Sequence, residues 1–178
     1  MSLTRRLAER FFGGGAPKNW AGTLDADENV LAVGELRGGG HVVATSLGLW
    51  LPSDDGPRRV GWHLISKATW GNGALVVIEA DETGTAGDAV LIVDRAPRRY
   101  AFETPGKLPE IVHKRVTGSI KSRHHRELAG GGAWFVQRKV PGRDGILLQV
   151  RPDEGTDVDA VSKIAAEVAL RIREAVVE

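Results

Sequence analysis

Between residues 28 and 104 the chain reads as β throughout, in short apolar segments cut by turn-forming residues. Residues 29–36 are apolar and extended, and 41–46 follow a glycine loop at 38–40. Leu47, Leu49 and Leu51 then stand at period two, which points alternate side chains to one sheet face. Pro52-Ser53-Asp54-Asp55-Gly56-Pro57 is a loop by composition. Residues 59–70 are extended and aromatic, carrying Val60, Trp62, Leu64, Ile65 and Trp70. Asn72-Gly73 sits between two such runs, where a two-residue hairpin needs positive φ at both central positions. The run 74–78 is followed by a polar stretch, 81–88, read as a loop. Ala89-Val90-Leu91-Ile92-Val93 reads as a buried strand, and Arg98-Arg99-Tyr100-Ala101-Phe102 alternates like a half-exposed one. Seven short strands with short connections predict a meander closing into a sandwich or small barrel.

The period then changes. Leu108, Ile111, Val112, Val116 and Ile120 fall at helical spacing, with Pro109 in the first turn, and predict a helix over 108–126. Gly118 costs that helix about 1 kcal/mol relative to alanine. Two strands, 133–140 and 146–150, are separated by the turn residues 141–145. A final helix starts at Thr156 or Asp157, both good caps, with Val158, Val161, Ile164, Ala165, Val168, Ile172 and Val176 as its apolar stripe. Glycine triplets at 13–15, 38–40 and 130–132 read as connectors and a hairpin loop. The expected organisation is an N-terminal short helix and connector (1–27), a β unit with a capping helix (28–128), and a ββα extension (129–178). The extension packs on the first unit or on a second copy. In the N-terminal segment, Leu3, Leu7 and Phe11 form a short apolar stripe beside Arg5, Arg6 and Arg10, suited to docking on the protein or a second copy.

Seven short strands followed by one amphipathic helix is the element order of the pleckstrin-homology (PH) superfold. The segment Val42-Val43-Ala44-Thr45-Ser46-Leu47-Gly48-Leu49-Trp50-Leu51 resembles the second hairpin of bacterial PH domains. Arg59-Val60-Gly61-Trp62-His63-Leu64-Ile65-Ser66 resembles the strand and turn that come next. Bacterial members often place Arg in the tight turn where this chain has Gly48. The whole is similar to actinobacterial proteins of Arg-rich, Gly-rich composition. The resemblance implies an α+β fold: a PH-like seven-stranded β-barrel or sandwich capped by a helix, with the C-terminal ββα extension outside the PH unit. PH-like folds host lipid, peptide and protein binding, so fold alone assigns no ligand.

Several chemistries find no support in the residues. Cysteine is absent, which excludes disulfides, thiolate metal sites and cysteine nucleophiles. Gly13-Gly14-Gly15-Ala16-Pro17-Lys18 lacks the spacing and the Ser or Thr of a phosphate-binding loop. Thr45-Ser46-Leu47-Gly48 lacks the first glycine of a nucleophile elbow. His41, His63, His113, His124 and His125 form no metal signature, and His63 has no visible nucleophile partner. The expectation is therefore no catalytic residue, no cofactor and no metal. No apolar run is long enough for a membrane helix, and the N-terminus lacks a signal-peptide core, so a cytoplasmic chain is expected.

Charge is unevenly distributed. The net charge is only +1, yet residues 95–126 carry nine basic and two acidic side chains. Lys107, Lys114 and Lys121 recur every seven residues and would share one side of the predicted helix. Lys114, Arg115, Lys121 and Arg123 are the candidate anion-binding residues, with Arg favoured for bidentate phosphate contacts. The leading expectation is a non-enzymatic binding or scaffolding module. Exposed strand edges or the basic helix would engage a protein partner, a second copy or an anionic ligand. The alternatives are a binder of anionic lipid head groups or nucleic acid through the basic helix face, and an enzyme with a site assembled from distant loops.

Overall fold

The computed structural model describes residues 15–177. The apolar stripe of Leu3, Leu7 and Phe11 lies outside them. Eight strands occupy the region where seven were expected: β1 (Val30–Leu36), β2 (His41–Thr45), β3 (Gly48–Leu51), β4 (Arg58–Gly61), β5 (Ile65–Gly71), β6 (Ala74–Ala86), β7 (Ala89–Asp94) and β8 (Arg98–Thr104). The extra strand arises because a 3₁₀ turn, Trp62–Leu64, divides the predicted 59–70 segment. Helix α1 (Leu108–Ser119) follows, then β9 (Ile120–Leu128), β10 (Gly131–Lys139), β11 (Ile146–Pro152) and helix α2 (Val158–Val177).

Local chemistry explains much of this order. Asn72 and Gly73 both have positive φ, 51° and 71°, and close the β5–β6 hairpin as a two-residue turn. At the β2–β3 turn, the Thr45 hydroxyl accepts hydrogen bonds from the backbone N–H groups of Leu47 and Gly48. A Cβ at Gly48 would lie 2.3 Å from the Val60 carbonyl oxygen, so β4 can approach β3 only where position 48 has no side chain. That contact leaves no room for the arginine that bacterial PH domains often carry there.

The expected closed barrel does not form. The strands make one open mixed sheet in the order β4-β3-β2-β1-β8-β6-β7-β11-β10-β9, with β5 paired to β6 off this path. The reason lies in β6. Its first residues pair with β5 on one side and β8 on the other. Its later residues, Ala80–Ala86, leave both and pair with β7. The predicted polar loop at 81–88 is therefore mostly strand, and only Gly87-Asp88 turns. Strand β7 then pairs in parallel with β11 through Val90 and Leu91. The sheet is carried outward into β9–β11 instead of curling shut.

Two cores follow from this topology. In the first, α1 buries Leu108, Val112 and Val116 against Leu49, Leu51, Trp62, Ile65, Leu75 and Phe102. In the second, α2 lays Val161, Ala165 and Ala169 on Phe135, Leu148, Val150 and Leu91. The carboxylate of Asp157 caps α2 by accepting from the N–H of Asp159 at 3.0 Å. The predicted α2 stripe is correct at its centre, but Val158 and Val176 at its ends are exposed.

Polar groups hold the seam between the cores. Arg138 on β10 donates to the carbonyls of Ile65 (2.9 Å) and Trp62 (3.0 Å) and to the Ser119 hydroxyl (2.7 Å). Gln149 on β11 donates to the His63 carbonyl at 2.7 Å. Arg151 pairs with Asp94 at 2.6 Å.

Candidate functional site

Helix α1 and its neighbours carry the features of interest. The predicted helix 108–126 stops at Ser119. Thr117 and Gly118 are weak helix formers, and 120–128 pairs with β10 along its length. Ladder hydrogen bonds from a strand ten residues further on outweigh the local helical pattern. Lys121 and Arg123 therefore lie on β9, not on a helix face, and Lys107, Lys114 and Lys121 do not share one helix side. His124 and His125, expected near a helix C-terminus, are also on β9.

The candidate anion-binding residues thus separate into two groups. Lys114 and Arg115 stay on α1 and line a cleft of about 380 Å³. Its other walls are Ser46, Trp62, Gly118, Ser119, Lys139, Val140 and Pro141. Lys114 pairs with Glu110 one turn back at 2.8 Å, both side chains largely exposed. Arg123 instead stacks over the Trp134 ring at 4.3 Å. Next to it, the His125 Nε2–H donates to the Asp153 carboxylate at 2.6 Å, and the ring meets Trp134 edge-on. Lys121 is exposed on the same strand. The β9 cations sit on the outermost strand of the sheet, where charge discourages edge-to-edge pairing.

A second opening lies on the other side of α1. Ala68, Thr69, Trp70 and Leu75 face Pro109, Glu110, Val112 and His113 across a groove of about 540 Å³. Among the described residues strand β5 pairs only with β6, so its outer side borders this groove. Gly71 opposite Ala74 closes the two-residue turn and exchanges hydrogen bonds with it. By the alternation of an antiparallel ladder, Ala68 and Trp70 turn their backbone N–H and C=O groups outward. The Trp70 side chain is 42% exposed and leans on Phe102 at 5.8 Å between ring centres. The other tryptophans behave as expected of core and rim residues. Trp62 is 2% exposed, although in a 3₁₀ turn and not a strand. Trp20 stacks edge-on against Trp50.

The histidines supply little catalytic geometry. Burial, then the positive charges of Arg138 and Arg143, hold the His63 imidazole below its ordinary pKa, so it is neutral at pH 7. Its Nδ1 is buried without a hydrogen-bond partner. The cleft beside His41 is lined by Lys18, Asn19, Trp20, Ala21, Gly40, Pro52, Ser53, Gly56 and Pro57, with no carboxylate among them. Among the described residues no cluster of three or more His, Asp or Glu is placed to hold a metal ion. No helix among them is long and apolar enough to cross a membrane.

Of the sequence's candidate anion-binding residues, Lys114 and Arg115 line the cleft beside Gly118, and Lys139 and Trp62, which the sequence did not single out for it, line it with them. The signal available was Gly118, a costly residue inside a helix. Compared with protein-family models, curated proteins and solved structures, the chain matches none.

Proposed function

We propose that this chain is a PH-like, non-enzymatic binding module that captures an extended segment of a partner protein along β5. Supporting the PH-like reading, a meander of short antiparallel strands (β1–β4) and a second group (β5, β6, β8) enclose one core, over which α1 packs. The observation that carries the binding reading is the free β5 edge beside an apolar groove. An added strand would pair with the outward backbone groups of Ala68 and Trp70. Its alternate side chains would enter the groove between Trp70 and α1, so main-chain bonds give affinity and the groove gives selectivity. The other free edges suit this role less well. Strand β9 is lined with cations, and β4 is only four residues long with Arg58 and Arg59 tied to Glu79 and Glu28.

Selection of a random-peptide library against the intact chain tests this. Peptides with apolar residues at every second position are expected to enrich and to bind in the micromolar range typical of such short segments (about 10⁻⁶ M). Ala68→Pro removes one outward donor at an edge where proline is tolerated. It is expected to weaken binding at least tenfold, on the order of one net hydrogen bond plus the lost register. Trp70→Ala is expected to abolish detectable binding while costing only about 1 kcal/mol of stability, because the side chain is already half in water. Peptide binding that ignores both substitutions would exclude β5 as the docking edge.

A further inference from the structure

The geometry points to a second ligand site on the opposite side of α1, a cleft for a phosphate-class anion, formed by Arg115, Lys139 and Lys114 around Gly118. It is distinct from the β5 groove and does not depend on it.

The charge of the cleft is one-sided. Its lining includes Lys114, Arg115 and Lys139 and no acidic side chain. Among the described residues only Lys114 of these cations has a carboxylate partner, and that partner, Glu110, lies outside the lining. Behind Ser119 sits the Arg138 guanidinium, 3% exposed and bonded only to neutral oxygens. Arg138 itself lines a separate small cavity with Ser66, Arg123, Gln149 and Arg151, so it reaches the cleft only as a positive charge behind Ser119. Arg143, on the β10–β11 connection, adds to the positive field acting on His63, the neighbour of the Trp62 floor. A phosphate oxygen placed there would gain Arg and Lys donors, with the guanidinium of Arg115 able to bind two oxygens at once. The volume, about 380 Å³, falls in the range of small-ligand sites.

Gly118 is the independent observation. It occupies the last turn of α1, where any other non-proline residue would favour the helix more. Its φ is not in the left-handed region, so it is not a helix cap of the glycine type. A Cβ built there meets no atom within 4 Å. Apart from weakening the last turn of α1 where the chain passes into β9, nothing in the backbone geometry or packing asks for glycine at this position. What its missing side chain leaves open is the cleft, whose wall it forms.

The test uses the full chain and inorganic phosphate, with sodium chloride at matched ionic strength as reference. Phosphate is expected to raise Tm saturably above the chloride reference, by the linkage of a ligand that binds only the folded state. Arg115→Gln and Lys139→Gln are each expected to weaken phosphate affinity about tenfold, the scale of one charge-assisted hydrogen bond. Gly118→Leu keeps every charge and improves helix propensity, so its Tm without phosphate should equal or exceed that of the wild type, while its phosphate response disappears. Vesicles of phosphatidylcholine with and without phosphatidylserine distinguish the source. Binding to the anionic vesicles that free phosphate competes away assigns a lipid headgroup. A phosphate response without vesicle binding assigns a soluble phosphate ester. Stabilisation by phosphate no greater than by chloride, or an undiminished response in Gly118→Leu, would overturn the assignment.

Discussion

Replacing Arg138 with alanine is expected to lower the free energy of unfolding by about 3–5 kcal/mol, through the lost hydrogen bonds from a charged donor and the cavity left behind. Its guanidinium bonds at once to α1, through Ser119, to the 3₁₀ turn, through the Trp62 carbonyl, and to β5, through the Ile65 carbonyl. Alanine would take a charged donor from all three oxygens, although the Trp62 carbonyl keeps the Ile65 N–H and the Ser119 hydroxyl keeps its own bond to the Val116 carbonyl; each lost bond to a charged group is worth about 1.5–3 kcal/mol. It would also leave a cavity where the aliphatic stem packs. Burial pulls the Arg138 pKa down to about 10, which still leaves it charged at neutral pH. The group therefore binds its proton in both folded and unfolded states near pH 7, and the cost should not vary with pH there. Arg138→Lys should recover only part of the loss, because an ammonium cannot reproduce a planar fork reaching three separate oxygens. Urea unfolding followed by tryptophan fluorescence provides the measurement. A loss below about 1 kcal/mol, the scale of an ordinary surface substitution, would mean that the seam relaxes around the gap.

The same residue shows where the sequence was readable and where it was not. Short-range signals were reliable: Asn72-Gly73 gave the hairpin, Lys107-Leu108-Pro109 the start of α1, and Asp157 the start of α2. Each depends on chemistry within a few residues. The misreadings concern pairing, some of it between neighbouring strands whose partner the local pattern does not reveal and some between segments far apart. Residues 120–128 continue a helical pattern but become β9 because β10 offers a ladder partner. Residues 81–86 are polar because that part of β6 is largely exposed, not because it is a loop. Arg138 sits in a strand that reads as ordinary alternation, and its burial is decided by the 3₁₀ turn of a segment more than seventy residues away. Of the candidate site, Lys114 and Arg115 were legible from composition. Lys139 was not, because only the return of β10 to the end of α1 brings it there.

Glu28 offers a second large effect with a distinct pH signature. Its side chain is fully buried, and both carboxylate oxygens are saturated with donors. Oε1 accepts from the Thr45 hydroxyl (2.6 Å) and the Trp50 indole N–H (2.8 Å), and Oε2 from Arg59 (2.6 Å) and the Asp25 N–H (3.0 Å). These bonds pin the segment before β1 to β2, β3 and β4. Burial pushes the Glu28 pKa up, but the Thr45, Asp25 and Trp50 hydrogen bonds and the Arg59 charge more than offset it, leaving the value below the usual 4.5. Glu28→Ala is expected to cost about 3–5 kcal/mol at pH 7, since it leaves the buried Thr45 hydroxyl and Trp50 indole N–H without their acceptor and leaves Arg59 only its Asp25 partner. Glu28→Gln keeps the volume but points an N–H₂ group at donors, so its cost should fall between wild type and alanine. A carboxylate with a depressed folded pKa stabilises the fold above its unfolded pKa and loses that contribution as pH falls through the folded value. The gap between wild type and Glu28→Gln should therefore be full at pH 7 and shrink as pH falls below the ordinary carboxylate value and through the lower folded one. Urea titrations at both ends of that window measure it. If the gap were the same in acid, the buried carboxylate would not be the group that ties the N-terminal connector to the sheet. If it shrank as expected, acid would release residues 15–29 before the rest of the fold, because no other buried carboxylate bonds to that segment among the described residues.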